Sequence, residues 1–179
     1  MDPIPPTLDD DGVMDFVAAG LVVLEGLIGP GFNRRCDDLA PGNCDAFIAS
    51  ADFTREVLLH PQVAGVARSL LGADFLVPRG GHHHFFKEPH LGQTWHSDGL
   101  SGSGYDVTEL QCYYYPHAVA IADGPTMVLP GSHCRAVDRD RHRVNHRALH
   151  VVQICRPNAT SKTRMVCGRQ HDHAPNHVA

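Results

Sequence analysis

The sequence reads as an α+β protein, mainly β: an antiparallel double sheet or barrel with helices packed on one side. Three observations predict this. Up to about residue 72, apolar residues recur at helical spacing between capping signals. Beyond Gly72 the grammar changes to short runs rich in aromatic and branched residues, separated by turn chemistry. Helices first and then many closely spaced strands is the order of an α+β fold, not of an alternating one.

In the helical part, Thr7 is placed to cap a helix whose first turn is Asp9-Asp10-Asp11, where the helix dipole favours acids. Val13, Phe16 and Val17 fall on one face, and Gly20 stops the helix. Leu21-Val22-Val23-Leu24 reads as a short buried strand. Gly29-Pro30-Gly31 and Pro41-Gly42-Asn43 are turns on either side of a short polar helix. A second apolar helix is expected from about Thr54 to Leu71, with Val57, Leu58, Val63, Val66, Ala67, Leu70 and Leu71 buried and Gly72 as its C-cap. His60-Pro61 interrupts it, which allows two short helices meeting at a corner.

The expected strands are Phe75–Pro78, His82–Lys87, Thr94–Asp98, Leu110–Tyr115 and Thr126–Leu129. From Cys134 onward the character shifts. Arg135 to Arg169 holds eight arginines and few apolar residues apart from Val151-Val152-Gln153-Ile154, and its secondary-structure signal is the weakest in the chain. There is no internal repeat and no low-complexity tract. The 179 residues fit one domain: a mainly helical part over 1–72, a sheet core over 73–133 and a divergent part over 134–179.

Bulk properties exclude several classes. With 42% apolar and 20% charged residues the composition is that of a globular protein, and a net charge of -5 argues against nucleic-acid binding, which needs a basic face. No run approaches the roughly 20 apolar residues a membrane helix requires. Met1 to Pro6 is acidic and Pro-rich rather than a signal peptide, and His177-Val178-Ala179 is no peroxisomal address, so a cytoplasmic protein is the default expectation. The six cysteines form no CxxC pair and are expected to be reduced, mostly buried thiols.

The chemistry centres on Trp95-His96-Ser97-Asp98-Gly99. His96 and Asp98 are two apart in a stretch that reads as strand, so both fall on one face and converge. An imidazole and a carboxylate so placed, completed by a distant histidine, form the 2-His-1-carboxylate triad of non-haem iron(II) oxygenases. On spacing alone a surface His–Asp hydrogen bond is the commoner origin of such a triplet. With fourteen histidines in the chain, chance supplies one easily. Elsewhere, His133 reads as bracing the Pro130-Gly131 turn, His82-His83-His84 as sheet and pocket-wall residues, and Lys87 as a solvated lysine.

Several motifs in order change that weighting. The HxD segment is followed by the aromatic Tyr113-Tyr114-Tyr115-Pro116-His117 and then by Asp123-Gly124-Pro125-Thr126-Met127-Val128-Leu129-Pro130-Gly131-Ser132-His133. Ahead of it lie an acid-rich helix leading into Gly20–Leu24, and His60-Pro61 with an apolar helix ending in Leu71-Gly72. Over roughly residues 8 to 133 the chain resembles the phytanoyl-CoA dioxygenase family. The resemblance implies a double-stranded β-helix, jelly-roll or cupin-like, with N-terminal helices packed on one sheet. It implies Fe(II) held by His96 and Asp98 as metal and catalytic residues, and 2-oxoglutarate as co-substrate. The reaction would use dioxygen to hydroxylate a small organic substrate while 2-oxoglutarate is decarboxylated to succinate. Asp98 argues for hydroxylation or a related oxidation, because halogenating members of that family replace this carboxylate by a small residue.

The same resemblance puts the third ligand in an H-x-x-x-P-N segment, which His171 to Asn176 fits, so His171 is the candidate, with His173 and His177 open. A histidine in a frayed polar tail is the competing reading of His171. An arginine about ten residues further would anchor the distal carboxylate of 2-oxoglutarate, but that position lies beyond Ala179. Arg164 or Arg169 could substitute. A truncated chain, a shifted reading frame or an alternative transcript is the expectation raised by this arginine-rich, weakly patterned end. Two alternatives therefore stand beside an active oxygenase: an inactive or incomplete member that keeps the scaffold, and a cupin-like metal-binding protein without oxygenase activity.

Overall fold

A computed structural model of the chain describes residues 4–39, 43–77, 80–84, 107, 109–118, 126–131, 133 and 149–155. Helix α1 (Asp10–Ala19) is capped by Asp9, whose carboxylate accepts from Gly12 N at 2.9 Å. Thr7, expected as the cap, instead belongs to an arm laid across a later helix. Asp10 and Asp11 occupy the first turn, and Gly20 ends the helix in the left-handed region at φ 78. Phe16 is buried and Val13 packs against the core, but Val17 is 48% exposed, so the apolar face is narrower than its spacing implies.

Residues 21–24 form no strand. Val22 packs against the core while Val23 is 68% exposed, so the segment leaves α1 as irregular chain. Helix α2 (Pro30–Asp37) begins inside the Gly29-Pro30-Gly31 signal, with Pro30 where its missing N–H costs nothing. It is amphipathic and not merely polar: Phe32 and Cys36, one turn apart, are both buried. Helix α3 (Cys44–Ile48) and helix α4 (Ala51–Phe53, capped by Ser50) were not foreseen. Helix α4 runs on into a π-helical turn, Thr54–Leu58, closed by Leu59 N donating to Thr54 O at 2.8 Å. Helix α5 (Pro61–Leu71) follows with His60 as cap and Pro61 in its first turn. The expected long helix is thus two pieces meeting at His60-Pro61.

The arm before α1 is fastened to α5. Thr7 N and Leu8 N both donate to Ser69 Oγ, at 3.1 and 3.0 Å, and that hydroxyl donates to Gly65 O at 2.9 Å.

Three strands form one antiparallel sheet in the order β1-β3-β2: β1 (Gly81–His84), β2 (Glu109–Tyr114) and β3 (Leu149–Cys155). The central strand comes from the Val151–Ile154 run, the one apolar patch in the stretch with the weakest signal. A late strand returning between two early ones is the connectivity of Greek-key and jelly-roll sheets. Residues 75–78 and 126–129, expected as strands, are irregular where described, apart from a single bridging residue at Leu76. The expected strand Thr94–Asp98 and the end of His82–Lys87 lie outside the described residues. Helix therefore outweighs strand among the described residues.

The sheet meets two apolar clusters. One joins Phe16 of α1 to Val66, Ala67, Leu70 and Leu71 of α5 and to Leu110 of β2. The other joins Phe32, Cys36, Ile48, Phe53, Val57 and Leu58 to Tyr114 of β2. Cys112 and Val77 touch both. The helices are therefore packed on one face of β2, as expected. Among the described residues no helix is long and apolar enough to cross a membrane.

Candidate functional site

Strand β2 has two buried faces of opposite character. Alternation along Glu109–Tyr114 turns Leu110, Cys112 and Tyr114 to the helices and Glu109, Gln111 and Tyr113 to the other side. Glu109 and Gln111 are nonetheless buried, at 7% and 8% exposure. A sheet with one solvated face would leave such residues open to water. Here the face away from the helices is covered, and it is polar. The Tyr113 hydroxyl donates to Gln111 Oε1. By register, Gln111 stands opposite Gln153 of β3, and Tyr113 opposite Val151, which pairs in turn with His82 of β1.

On the helix side the polar atoms are bound into the scaffold. The Tyr114 hydroxyl donates to Asn33 Oδ1 at 2.6 Å. Burial, with Cys36 and Asp37 nearby, pushes its phenol above the ordinary range and keeps it a donor. Burial likewise raises the Cys112 thiol to about 12. His83, on the helix side by register, donates its backbone N–H to Asp45 Oδ1 at 3.0 Å. Burial lowers its imidazole pKa, and the Asp45 charge opposes that in part. Past the end of β2, Thr126 N donates to Tyr115 Oη at 3.3 Å, and burial raises the Tyr115 phenol despite that bond. His117 Nδ1 lies 2.7 Å from Asp37 Oδ1 at the surface.

His96, Asp98 and His171 lie outside the described residues, as do His173, His177, Arg164, Arg169 and Lys87. Among the described residues no three His, Cys, Asp or Glu side chains gather as a metal site. The donor types of the HxD segment, one imidazole and one carboxylate, suit Fe(II). His83 sits in β1, in keeping with its reading as a sheet residue. His133 also behaves structurally: its Nε2 donates to Val17 O at 2.9 Å. Glu109 and Gln111 were missed as candidates. The E-L-Q-C-Y-Y alternation of polar and apolar residues was the available signal.

A helix-backed antiparallel sheet whose second face carries buried polar side chains, Glu109 and Gln111, defines the class among the described residues: an α+β scaffold. Among models of protein families, that of phytanoyl-CoA dioxygenase (PhyH) matches residues 33–166, well over half of the chain. The chain belongs to the phytanoyl-CoA dioxygenase family, whose members are generally oxygenases using Fe(II) and 2-oxoglutarate. No curated protein and no solved structure matches it. The matched span takes in His96, Asp98 and Arg164 and stops short of Arg169, His171, His173 and His177. It also runs past residue 133, through β3, into the stretch read from sequence as departing from the family.

Proposed function

We propose that the protein is an Fe(II)/2-oxoglutarate-dependent dioxygenase that hydroxylates a small organic molecule. The observation that carries this is the family match over 33–166, which spans both residues of the HxD pair. The covered polar face of β2 supports it, because such a wall suits a cavity that takes polar ligands and would be costly in an apolar core. Iron(II) with 2-oxoglutarate and dioxygen would supply the chemistry: one oxygen atom enters the substrate C–H bond as a hydroxyl and the other goes into succinate, with release of CO2. His96 and Asp98 are the two adjacent ligands in this reading, one neutral and one anionic, held on a common strand face. His171 remains the candidate third ligand, with His173 and His177 as competitors. Of the two arginines considered as the carboxylate anchor, Arg164 is preferred because it alone lies within the matched span. A single catalytic domain acting in the cytoplasm, without nucleic-acid or membrane partners, completes the proposal.

The experiment is anaerobic addition of Fe(II) and 2-oxoglutarate. The expected result is a weak visible charge-transfer band, lost in His96→Ala and in Asp98→Ala, with succinate formed when air is admitted. Single alanine variants at 171, 173 and 177 then assign the third ligand. Metal binding with no band and no succinate would favour an inactive scaffold, the second reading.

A further inference from the structure

The Pro130-Gly131-Ser132-His133 turn has no part in the proposed iron site, yet two of its residues make bonds at the far end of the molecule's first helix. The last turn of α1 leaves carbonyls without intrahelical donors. Gly20 N satisfies Phe16 O at 2.7 Å. Two further donors arrive from the distant turn. Gly131 N donates to Ala19 O at 2.8 Å, and His133 Nε2 to Val17 O at 2.9 Å, across a separation of 116 residues. To donate there, Nε2 must carry a proton, and in the neutral ring that leaves Nδ1 bare. That atom is buried and has no partner among the described residues.

The ring is seated on Gly20. A Cβ at that position would lie 2.3 Å from His133 Nδ1, 2.7 Å from Cγ and 2.8 Å from Cε1. Gly20 thus answers two demands: a positive φ of 78 that ends α1, and a bare Cα on which an imidazole can rest. The ring centroid is 6.5 Å from that of Phe16. Gly131 also has a positive φ, of 77, and a Cβ there would approach Ala18 O to 3.4 Å. The other end of the same segment is held by the Thr126–Tyr115 bond.

We propose that Pro130–His133 is a remote C-cap of α1: a clasp that fastens the segment 126–133 to the N-terminal helix through Gly131 N–H and the neutral, Nε2-protonated imidazole of His133. His133 is a fastening residue and not an iron ligand, and Gly20 is its seat. Nothing in this depends on the proposed oxygenase activity.

The test is amide hydrogen exchange at Gly131 in the full-length protein, with Fe(II) binding measured on the same samples. His133→Ala should speed exchange at Gly131 about tenfold, the factor expected when one hydrogen bond is lost and its acceptor left bare. His133→Gln, whose amide can reach the place of Nε2, should restore most of the protection. Gly20→Ala should also speed exchange. The double variant Gly20→Ala/His133→Ala should be no worse than Gly20→Ala alone, because the clash disappears with the ring. Unchanged exchange in His133→Ala, a Gln variant no better than Ala, or strict additivity would each overturn the proposal. So would loss of iron binding in His133→Ala with exchange unaltered. In the unsubstituted protein, nitrogen NMR should show His133 protonated at Nε2 and bare at Nδ1, and the opposite tautomer would also overturn it. If the unsubstituted protein binds no iron, the oxygenase reading fails while the exchange results still decide the clasp.

Discussion

Gly65 shows how a local preference is overruled by a neighbour. Within α5 an alanine would be favoured over glycine by about 1 kcal/mol on helix propensity alone. Yet a Cβ at this position would meet Thr7 Cγ2 at 2.3 Å and the backbone carbonyl of Pro5 at 2.9 Å. Gly65→Ala should therefore destabilise, by roughly 1–3 kcal/mol, because the arm must lift from the helix; urea unfolding measures it. Tyr114→Phe removes the donor to Asn33 Oδ1 and should cost about 1 kcal/mol in the same assay. His83 gives a pH dependence. Burial holds its folded pKa below the ordinary 6.5, so the unfolded chain takes up the proton first as pH falls. Its contribution to stability is complete above pH 6.5 and drains away below it, towards the lowered folded value. Thermal melts at pH 7.5 and 5.5 should differ, and His83→Asn should narrow the difference.

Capped elements were legible in the sequence; short buried ones were not. Helices α1 and α5 announce themselves through Gly20, His60-Pro61 and Gly72, because capping chemistry is local, although the cap of α1 is Asp9 and not the expected Thr7. Helices α3 and α4 each span too few residues to establish a period, although Ile48 and Phe53 are among the most deeply buried side chains. Phe53 has ring contacts with Phe32, Phe47 and Tyr114, so Phe53→Ala should cost about 3–5 kcal/mol, read from denaturant midpoints. The apolar runs at 21–24 and 126–129 misled for the opposite reason. Strand propensity forms a strand only where a partner accepts the ladder. The thiols of these layers should be inert. Cys36 is raised to about 11 and Cys112 to about 12, in both cases chiefly by burial. Iodoacetamide at pH 8 should leave both unmodified in the native protein and label them in denaturant, as peptide mass spectrometry would show.

For the whole molecule, the ordered motifs made the family readable, and the match over 33–166 agrees with it. The HxD pair was picked out on a stereochemical expectation, the two-residue period of a strand, and it lies outside the described residues. The third ligand and the anchor resist the same treatment, since no local spacing ties a distant histidine to a site. A chain ended after residue 166 separates the possibilities. It keeps the whole matched span, and loss of the charge-transfer band in it would place an essential ligand beyond that point.

The placement of β3 has a consequence for how the molecule comes into being. Strands β1 and β2 are not neighbours; each pairs only with β3 in the described sheet, and β3 is made last. On the ribosome the helical layer can pack as soon as it emerges, but the first strand waits some seventy residues of synthesis for its described partner. A messenger that stops or shifts frame before Leu149 would take from both strands the partner they share in the described sheet. The C-terminal message thus decides whether the two earlier strands are joined into one described sheet.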